Sequence, residues 1–142
     1  MEDFIIRDYC ENDYSALICL WDIIGLGGAN RGDDAGVILN TLHNGGKLLL
    51  LEKFSDSSII GSSWLTNDGR RLYMHHFGIK PESQGLGLAK PLLQASIDFA
   101  RSLNLQLKIE VHHQNTVAIN LYKKFGFNYL GDYDVYIIRK FD

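Results

Sequence analysis

The sequence lacks the features of disulfide-rich, membrane-spanning and nucleic-acid-binding proteins. It has only two cysteines, Cys10 and Cys19, which are too few for a disulfide framework and lack the spacing of zinc ligands. Its longest apolar run, residues 16–21, is far too short to cross a bilayer. The 14 Lys and Arg residues against 17 Asp and Glu give a net charge of −3, which argues against a basic nucleic-acid-binding surface.

The N-terminal residues also lack the pattern of a secretory signal peptide, because Asp3, Arg7 and Asp8 add charge where an apolar segment is required. We therefore expect a cytoplasmic protein with no membrane, nucleic-acid or metal partner. With 142 residues, 46% of them hydrophobic, the chain suits one domain over residues 1–142 with a real core. We expect Cys19, in an apolar helical stretch, to be a buried thiol.

Hydrophobic periodicity predicts the order β α α β β β α β α β β. The predicted strands are 4–7, 47–53, 58–66, 72–79, 105–111, 128–130 and 135–139. The predicted helices begin at a cap at 12 or 13, run from 33 or 34 to 42, and cover 88–103 and 115–125. Pro91 fits the third helix if it lies in the first turn. The pattern indicates an α+β fold with a mixed, mostly antiparallel sheet of about six to seven strands, flanked by about four helices.

The most informative segment is 81–90, a glycine-rich turn between the fourth strand and the third helix. Free N–H groups of a first helical turn and the helix dipole attract anions. Gly85 and Gly87 allow the backbone to approach phosphate oxygens closely. A dinucleotide fingerprint would need three glycines after an early strand, and a Walker phosphate loop would need Gly-Lys-Ser/Thr. Neither is present, so the turn predicts a pyrophosphate site of another kind.

A second segment, 115–127, reads as a short, well-capped helix. Asn115 or Thr116 can cap its start, and Gly126 suits the left-handed position after its end. Phe127 can supply the hydrophobic contact of a Schellman ending. The apolar positions 118, 121, 122 and 125 form one stripe, which includes Tyr122.

Together these two segments resemble the GNAT superfamily of N-acetyltransferases. Gln84-x-x-Gly87-x-Ala89 is similar to its acetyl-CoA pyrophosphate motif, and Asn115-x-x-Ala118-x-x-Leu121-Tyr122-x-x-x-Gly126-Phe127 is similar to its second CoA-side motif. The predicted strand order agrees with the three-layer fold of that family. The resemblance is specific over 72–127 and weak over 1–70, the part that usually selects the substrate.

The resemblance implies acetyl-CoA as cosubstrate and a set of CoA-binding positions. Backbone N–H groups of the glycine turn would hold the pyrophosphate, and the pantetheine arm would enter a gap where the fourth strand splays from the fifth at a bulge. Gly78 suits such a bulge or a close backbone approach. Gln84 stands where the family often has arginine. The implied positions are Phe77, Gly78, Ile79, Gln84, Gly85, Leu86, Gly87, Leu88, Ala89, Lys90, Asn115 and Tyr122.

The resemblance also implies direct attack of an amine on the acetyl thioester, with Tyr122 as proton donor to the leaving thiolate and Glu110 as base. A tyrosine on an apolar stripe can equally be a core residue, and Glu110 can be a carboxylate facing solvent. Four histidines are rival bases: His75, His76, His112 and His113. Strand alternation predicts that the first two lie on opposite faces.

The acceptor amine is open, from small molecules to lysine side chains and peptide N-termini. Asp33 and Asp34 can attract a cationic substrate or simply cap a helix, and Arg31 can bind a carboxylate. A non-catalytic acyl-CoA-binding module of the same fold is the alternative, and a nucleotide-binding protein with another cofactor is a third hypothesis. Edge strands near the C-terminus leave a homodimer open.

Overall fold

The computed structural model of the chain describes residues 3–27 and 32–141. Within these ranges it contains five strands and four helices, which we number in chain order. The strands are β1 (Phe4–Asp8), β2 (Lys47–Lys53), β3 (Ile59–Asn67), β4 (Arg71–Ile79) and β5 (Gln106–Ile109). The helices are α1 (Tyr14–Ile24), α2 (Ala35–His43), α3 (Ala89–Leu103) and α4 (Thr116–Lys124).

The strands form one sheet in the order β1-β2-β3-β4-β5. The first three pairings are antiparallel, and only β4 and β5 run parallel. The prediction of a mixed, mostly antiparallel sheet with four helices is therefore confirmed. The predicted strand count was too high, because residues 128–130 and 135–139 form no strand in the structure. Instead they expose large apolar side chains such as Tyr129 and Ile137.

The chain divides into two compact units, Met1–Glu110 and Val111–Asp142. The first unit contains the whole sheet with α1, α2 and α3, and the second contains α4 and the residues after it. The two units are described separately below, and one domain over residues 1–142 stays a prediction.

Alternating serines of β3 show how helices cover the sheet of the first unit. The Ser62 hydroxyl accepts a hydrogen bond from the Trp21 indole N–H of α1 at 2.9 Å. The next residue, Ser63, is hydrogen-bonded to Ser96 of α3 at 2.7 Å. Because successive strand residues point to opposite faces, α1 lies on one face of the sheet and α3 on the other. Leu50 and Leu51 of β2 are accordingly both fully buried, as expected for a strand covered on two sides.

α1 begins without the predicted side-chain cap from Asn12 or Asp13. The Asp13 carboxylate instead accepts two hydrogen bonds from the Arg7 guanidinium, both at 2.9 Å, and one from the backbone N–H of Cys10. Arg7 also donates to Glu52 on β2 at 3.2 Å. A charged network therefore ties β1 and β2 to the turn before α1, and the hydrogen bonds from Arg7 lower the pKa of Asp13 to about 2.

Two predictions about single side chains on the helices have clear outcomes. The prediction of a buried Cys19 is wrong, because this thiol is exposed on the outer side of α1. Pro91 lies in the first turn of α3, as expected. In the described ranges no helix is both long and apolar enough to span a membrane, and no group of three or more acidic, histidine or cysteine side chains could hold a metal ion.

We expect Asp13 to make folding stability depend on acid pH. Its pKa is lower in the folded protein, so the unfolded chain binds more protons, and its contribution is complete above about pH 4 and lost as the pH falls to about 2. The loss should amount to about 2 kcal/mol in the free energy of unfolding, measured with urea. Asp13→Asn should abolish this part of the pH dependence, and the exposed Asp98→Asn should retain it. An identical pH dependence in both variants would contradict the assignment.

Candidate functional site

The sheet opens at the C-terminal end of β4. Pairing between β4 and β5 begins at Arg71 with Gln106 and ends at Met74 with Ile109. β4 continues to Ile79 on its other edge, where it stays paired with β3. Its last five residues thus extend beyond the end of the ladder with β5. The ladder stops because β5 itself ends at Ile109, and the predicted splay of β4 from β5 stays a prediction.

A one-residue bulge in β4 lies at the same point. Between the pairs Ser62 with Gly78 and Trp64 with His75, β3 has one residue and β4 has two, His76 and Phe77. His76 has φ +47°, in the left-handed region that residues with a Cβ rarely occupy. The carbonyl of His76 accepts a hydrogen bond from the Ser62 hydroxyl at 2.7 Å. The oxygen of that hydroxyl in turn accepts a hydrogen bond from the Trp21 indole N–H. The bulge that the sequence suggested at Gly78 is therefore centred two residues earlier.

The bulge places the rings of His75 and His76 together. Their centroids are 6.4 Å apart, and both lie near the Trp64 ring, at 6.0 and 5.6 Å. The prediction that the two histidines face opposite sides of the sheet is therefore wrong. Strict alternation holds only for a regular strand, and the extra residue turns the second side chain back to the face of the first.

His76 is hydrogen-bonded to Asp33, with 2.7 Å between Nε2 and Oδ2. The two side chains are 19% and 16% exposed. Gly27 closes over this pair, since a Cβ there would come within 2.6 Å of both atoms. The neighbouring Asp34 has a different role, because its carboxylate accepts from the Val37 N–H and caps α2. The two adjacent aspartates, which the sequence does not distinguish, thus make different contacts.

His75 belongs to a second polar group on the same strand. Its Nε2 lies 2.9 Å from the Thr66 hydroxyl, and its ring stacks on Tyr73 with centroids 4.5 Å apart. Burial, and then the neighbouring His76, lower the pKa of His75. Burial, and then the carboxylate of Glu110, raise the pKa of the Tyr73 hydroxyl. Glu110 itself is exposed just beyond β5, so a carboxylate stands where the pairing of β4 with β5 has ended.

The glycine turn that follows β4 has the geometry of an open anion cradle. Gly85 and Gly87 have φ of +82° and +76°, which only glycine adopts readily, and a Cβ on either would meet no atom within 4 Å. No described residue accepts a hydrogen bond from the backbone N–H groups of residues 85–88. These groups precede α3, which begins at Ala89, so an anion would also gain from the helix dipole. Lys90 lies exposed in the first turn.

Gln84 does not point at this cradle as a charged donor would. Its side-chain N–H donates to the Ile79 carbonyl at 2.8 Å, which fastens the turn to the end of β4. Gly78 is also accounted for, because a Cβ there would come within 2.8 Å of Ile24 on α1. Side chains, and not another backbone, thus approach Gly78 closely.

In the second unit, α4 has both predicted caps. The Asn115 side chain accepts from the Ala118 N–H at 3.2 Å. The N–H of Phe127 donates to the Tyr122 carbonyl and that of Gly126 to the carbonyl of Lys123, which is the Schellman arrangement. Tyr122 is buried, and its ring lies 5.6 Å from that of Phe127. Burial raises the pKa of Tyr122 to about 12.

The structure thus brings part of the predicted site together within the first unit. The two β4 histidines lie together, Glu110 acts electrostatically on His75, and Gln84 of the glycine turn is hydrogen-bonded to the end of β4. His112 and His113 belong to the second unit, where they are exposed and stacked on each other. Arg31 lies outside the described residues. Sequence reasoning missed the pairing of Asp33 with His76, because neither the bulge nor the 43-residue separation leaves a local signal.

The chain is similar to proteins of one family. Its residues 2–127 match the model described as the acetyltransferase (GNAT) family. It is 32% identical, over 81 residues, to the N-alpha-acetyltransferase RimI of Mycobacterium tuberculosis. The match covers 54% of this chain and 50% of the relative, so the chain spans about half the length of that protein.

Solved structures resemble the chain over most of its length. A GNAT family acetyltransferase from Staphylococcus aureus Mu50 has a TM-score of 0.80 at 19% identity, with 93% of this chain and 90% of that chain covered. A predicted acetyltransferase from Clostridium acetobutylicum, crystallised with acetyl-CoA, has a TM-score of 0.74 at 17% identity, with 95% and 96% covered. At sequence identities this low, the structural similarity shows a shared fold and no more.

We predict that Gly27→Ala disrupts the contact between Asp33 and His76. The new Cβ would clash with both bonded atoms, so the free energy of unfolding should fall by about 1–3 kcal/mol. Gly32→Ala is the matched control, because Gly32 also has a positive φ but a Cβ there would meet no atom within 4 Å. Urea unfolding measures both variants. Equal losses would mean that only backbone strain, and not the clash, matters at position 27.

Proposed function

The chain belongs to the acetyltransferase (GNAT) family, and on this basis we propose that it is an N-acetyltransferase. It would move an acetyl group from acetyl-CoA to a primary amine, carried by a small molecule or by a protein or peptide. The observation that carries the proposal is the glycine turn with its unbonded N–H groups, which follows a strand that extends beyond the ladder with its parallel neighbour.

The chain offers a fitting set of groups for the cosubstrate. Backbone N–H groups of residues 85–89 would hold the pyrophosphate, with Lys90 nearby. Because Gln84 is occupied by the Ile79 carbonyl, backbone donors and the α3 dipole would contribute most of the binding. The edge of β4 over residues 77–79, beyond the ladder with β5, would bind the pantetheine arm by backbone hydrogen bonds. Asn115 is the position proposed from α4.

When bound, acetyl-CoA supplies an activated acyl carbon, and the protein has to supply orientation and proton transfer. A backbone N–H at the end of β4 would stabilise the negative charge that develops on the acyl oxygen. Glu110 would take a proton from the reacting nitrogen, supported by its exposed carboxylate just beyond the end of β5. Tyr122 would donate a proton to the leaving sulfur.

Burial gives Tyr122 a defined protonation state. With its pKa raised to about 12, the phenol is fully protonated at neutral pH. It is therefore always in the donor form, although its acidity is weaker than that of an ordinary tyrosine. The role of Tyr122 is proposed from its place in the α4 motif.

The alternative, a non-catalytic module that binds acyl-CoA, uses the same turn but needs no proton transfer. The geometry of the glycine turn suits both the enzyme and the binding module, and only an assay of acetyl transfer distinguishes them. The exposed Glu110 carboxylate and the protonated Tyr122 favour the enzyme. The groups proposed to bind acetyl-CoA do not indicate which amine accepts the acetyl group, so a panel of amines is the appropriate test.

Acetyl-CoA should stabilise the protein against heat and be consumed in the presence of a suitable amine. Ligand at a hundredfold excess over its Kd would add about 2.7 kcal/mol to the free energy of unfolding. We expect thiol release, followed with a thiol reagent, for at least one member of a panel of polyamines, amino acids and peptides. Stabilisation without thiol release would favour the binding module. No stabilisation at millimolar acetyl-CoA, with NAD and ATP tested in parallel, would contradict the proposal.

Tyr122→Phe should lower kcat by about 10- to 100-fold and leave the Kd for acetyl-CoA nearly unchanged. The substitution removes the proton donor but keeps the ring that packs against Phe127, and general acids typically contribute at least this much. Steady-state kinetics and calorimetric binding measure the two quantities. The exposed Tyr129→Phe is the control and should leave both unchanged. An unaltered kcat in Tyr122→Phe would remove this residue from the proton-donor role.

A further inference from the structure

We propose that His76, oriented by Asp33, accepts the proton that the acceptor's ammonium group must lose before acetyl transfer. The inference rests on the proposed function and concerns its acceptor side. It identifies a proton acceptor in addition to Glu110, and it assigns Asp33 as the residue that positions it.

The first support is the orientation of the imidazole. Its Nε2 is engaged by the Asp33 carboxylate at 2.7 Å, which favours a proton on that nitrogen and a free lone pair on Nδ1. No described residue hydrogen-bonds Nδ1. Buried side-chain nitrogens and oxygens in the described ranges all have a partner, so solvent reaches Nδ1. An imidazole with one nitrogen held by a carboxylate and the other open is the arrangement of a general base.

The second support is the backbone conformation. A histidine at φ +47° is strained and persists only when its surroundings enforce it. Here Ser62 holds the carbonyl of His76 and Trp21 holds the hydroxyl of Ser62. The Trp21 ring also contacts the His76 ring edge-on, with centroids 4.6 Å apart. The ring and the backbone of His76 are thus both fixed, as a general base that must point at its substrate requires.

The third support is position along β4. His76 is two residues beyond Met74, where pairing with β5 ends, and directly precedes the strand edge at residues 77–79. That edge is where the proposed function puts the thioester. An amine approaching it on the α1 face of the sheet would meet the open nitrogen of His76.

The charges around His76 suit an incoming cation. The titratable groups that face it are Asp33, from the segment before α2, and His75, and Glu110 acts on His75 from beyond β5. Burial, and then the neighbouring His76, lower the pKa of His75, which favours its neutral form. Two carboxylates thus act on the histidine pair, while the nearby cation Lys108 of β5 lies over the Tyr73 ring, 5.6 Å from its centroid. The pair Trp21 and Trp64, buried beneath, lowers the local dielectric.

The proton balance requires two acceptors. The nitrogen of an ammonium group loses one proton to Nδ1 of His76 and becomes a neutral amine. Its lone pair then forms the bond to the acyl carbon while the carbon–sulfur bond breaks, and the electron pair leaves on sulfur, which Tyr122 protonates. The new amide nitrogen loses its second proton to Glu110. Glu110 releases this proton to solvent, and solvent returns a proton to Tyr122. The net products are the acetamide, free thiol and one proton released from His76.

The test compares His76→Asn and Asp33→Asn with the wild type across pH. Asparagine tolerates the left-handed backbone better than other residues, so the fold around the bulge should be kept. Asp34→Asn and His43→Asn are matched controls, since the first residue only caps α2 and the second is exposed at the end of α2. The readouts are kcat/KM for the best amine of the panel and the thermal shift produced by acetyl-CoA.

At neutral pH we expect His76→Asn to lower kcat/KM about 100-fold and Asp33→Asn about 10-fold. The deficits should shrink as the pH rises, because an acceptor that is already a free amine needs no base. The controls and the acetyl-CoA thermal shift should be unchanged. A pH-independent deficit, or wild-type activity in His76→Asn, would overturn the assignment of His76. A wild type without thiol release would instead overturn the proposed function, which the thermal shift and the amine panel reveal independently.

Discussion

The extra residue that β4 inserts opposite Ser63 determines how this chain can work. It turns the backbone of His76 into the left-handed region and brings two consecutive histidine rings to one face. It lies where β4 loses its parallel neighbour, so the last residues of the strand extend beyond the ladder with β5. The irregularity and the end of the ladder with β5 therefore lie next to each other on β4. Bulges near active sites commonly serve to re-aim a side chain in this way.

The donor side and the acceptor side of the site rest on different physics. On the proposed donor side the candidate binding groups are backbone N–H donors, which depend on two glycines with positive φ and on the start of a helix. Beyond the two glycines, side-chain identity matters little there. On the proposed acceptor side the candidate groups are side chains from separate segments, Asp33 before α2 and His76 on β4, held by a hydrogen bond between residues far apart in sequence.

This difference explains which features could be read from the sequence. The caps of α4 were predictable because Asn115 and Gly126 act within one turn of the helix. The alternation rule failed at His75 and His76 because a bulge depends on how β3 and β4 pair, which no single strand encodes. Asp33 and Asp34 were indistinguishable in the sequence, and only folding separated a histidine partner from a helix cap. The strands predicted at 128–130 and 135–139 do not form in the structure, because a strand also needs a pairing partner, which a local pattern does not reveal.

The central claim is that the turn at residues 85–88 holds the pyrophosphate of a CoA cosubstrate. Titration of the ¹⁵N-labelled protein with CoA, followed residue by residue by NMR, tests it directly. The account predicts that the amide resonances of Gly85, Leu86, Gly87 and Leu88 move downfield together, as hydrogen bonds to phosphate form, with smaller changes over 77–79. Saturable binding that leaves these four amides unmoved, or no binding at millimolar CoA, would contradict it.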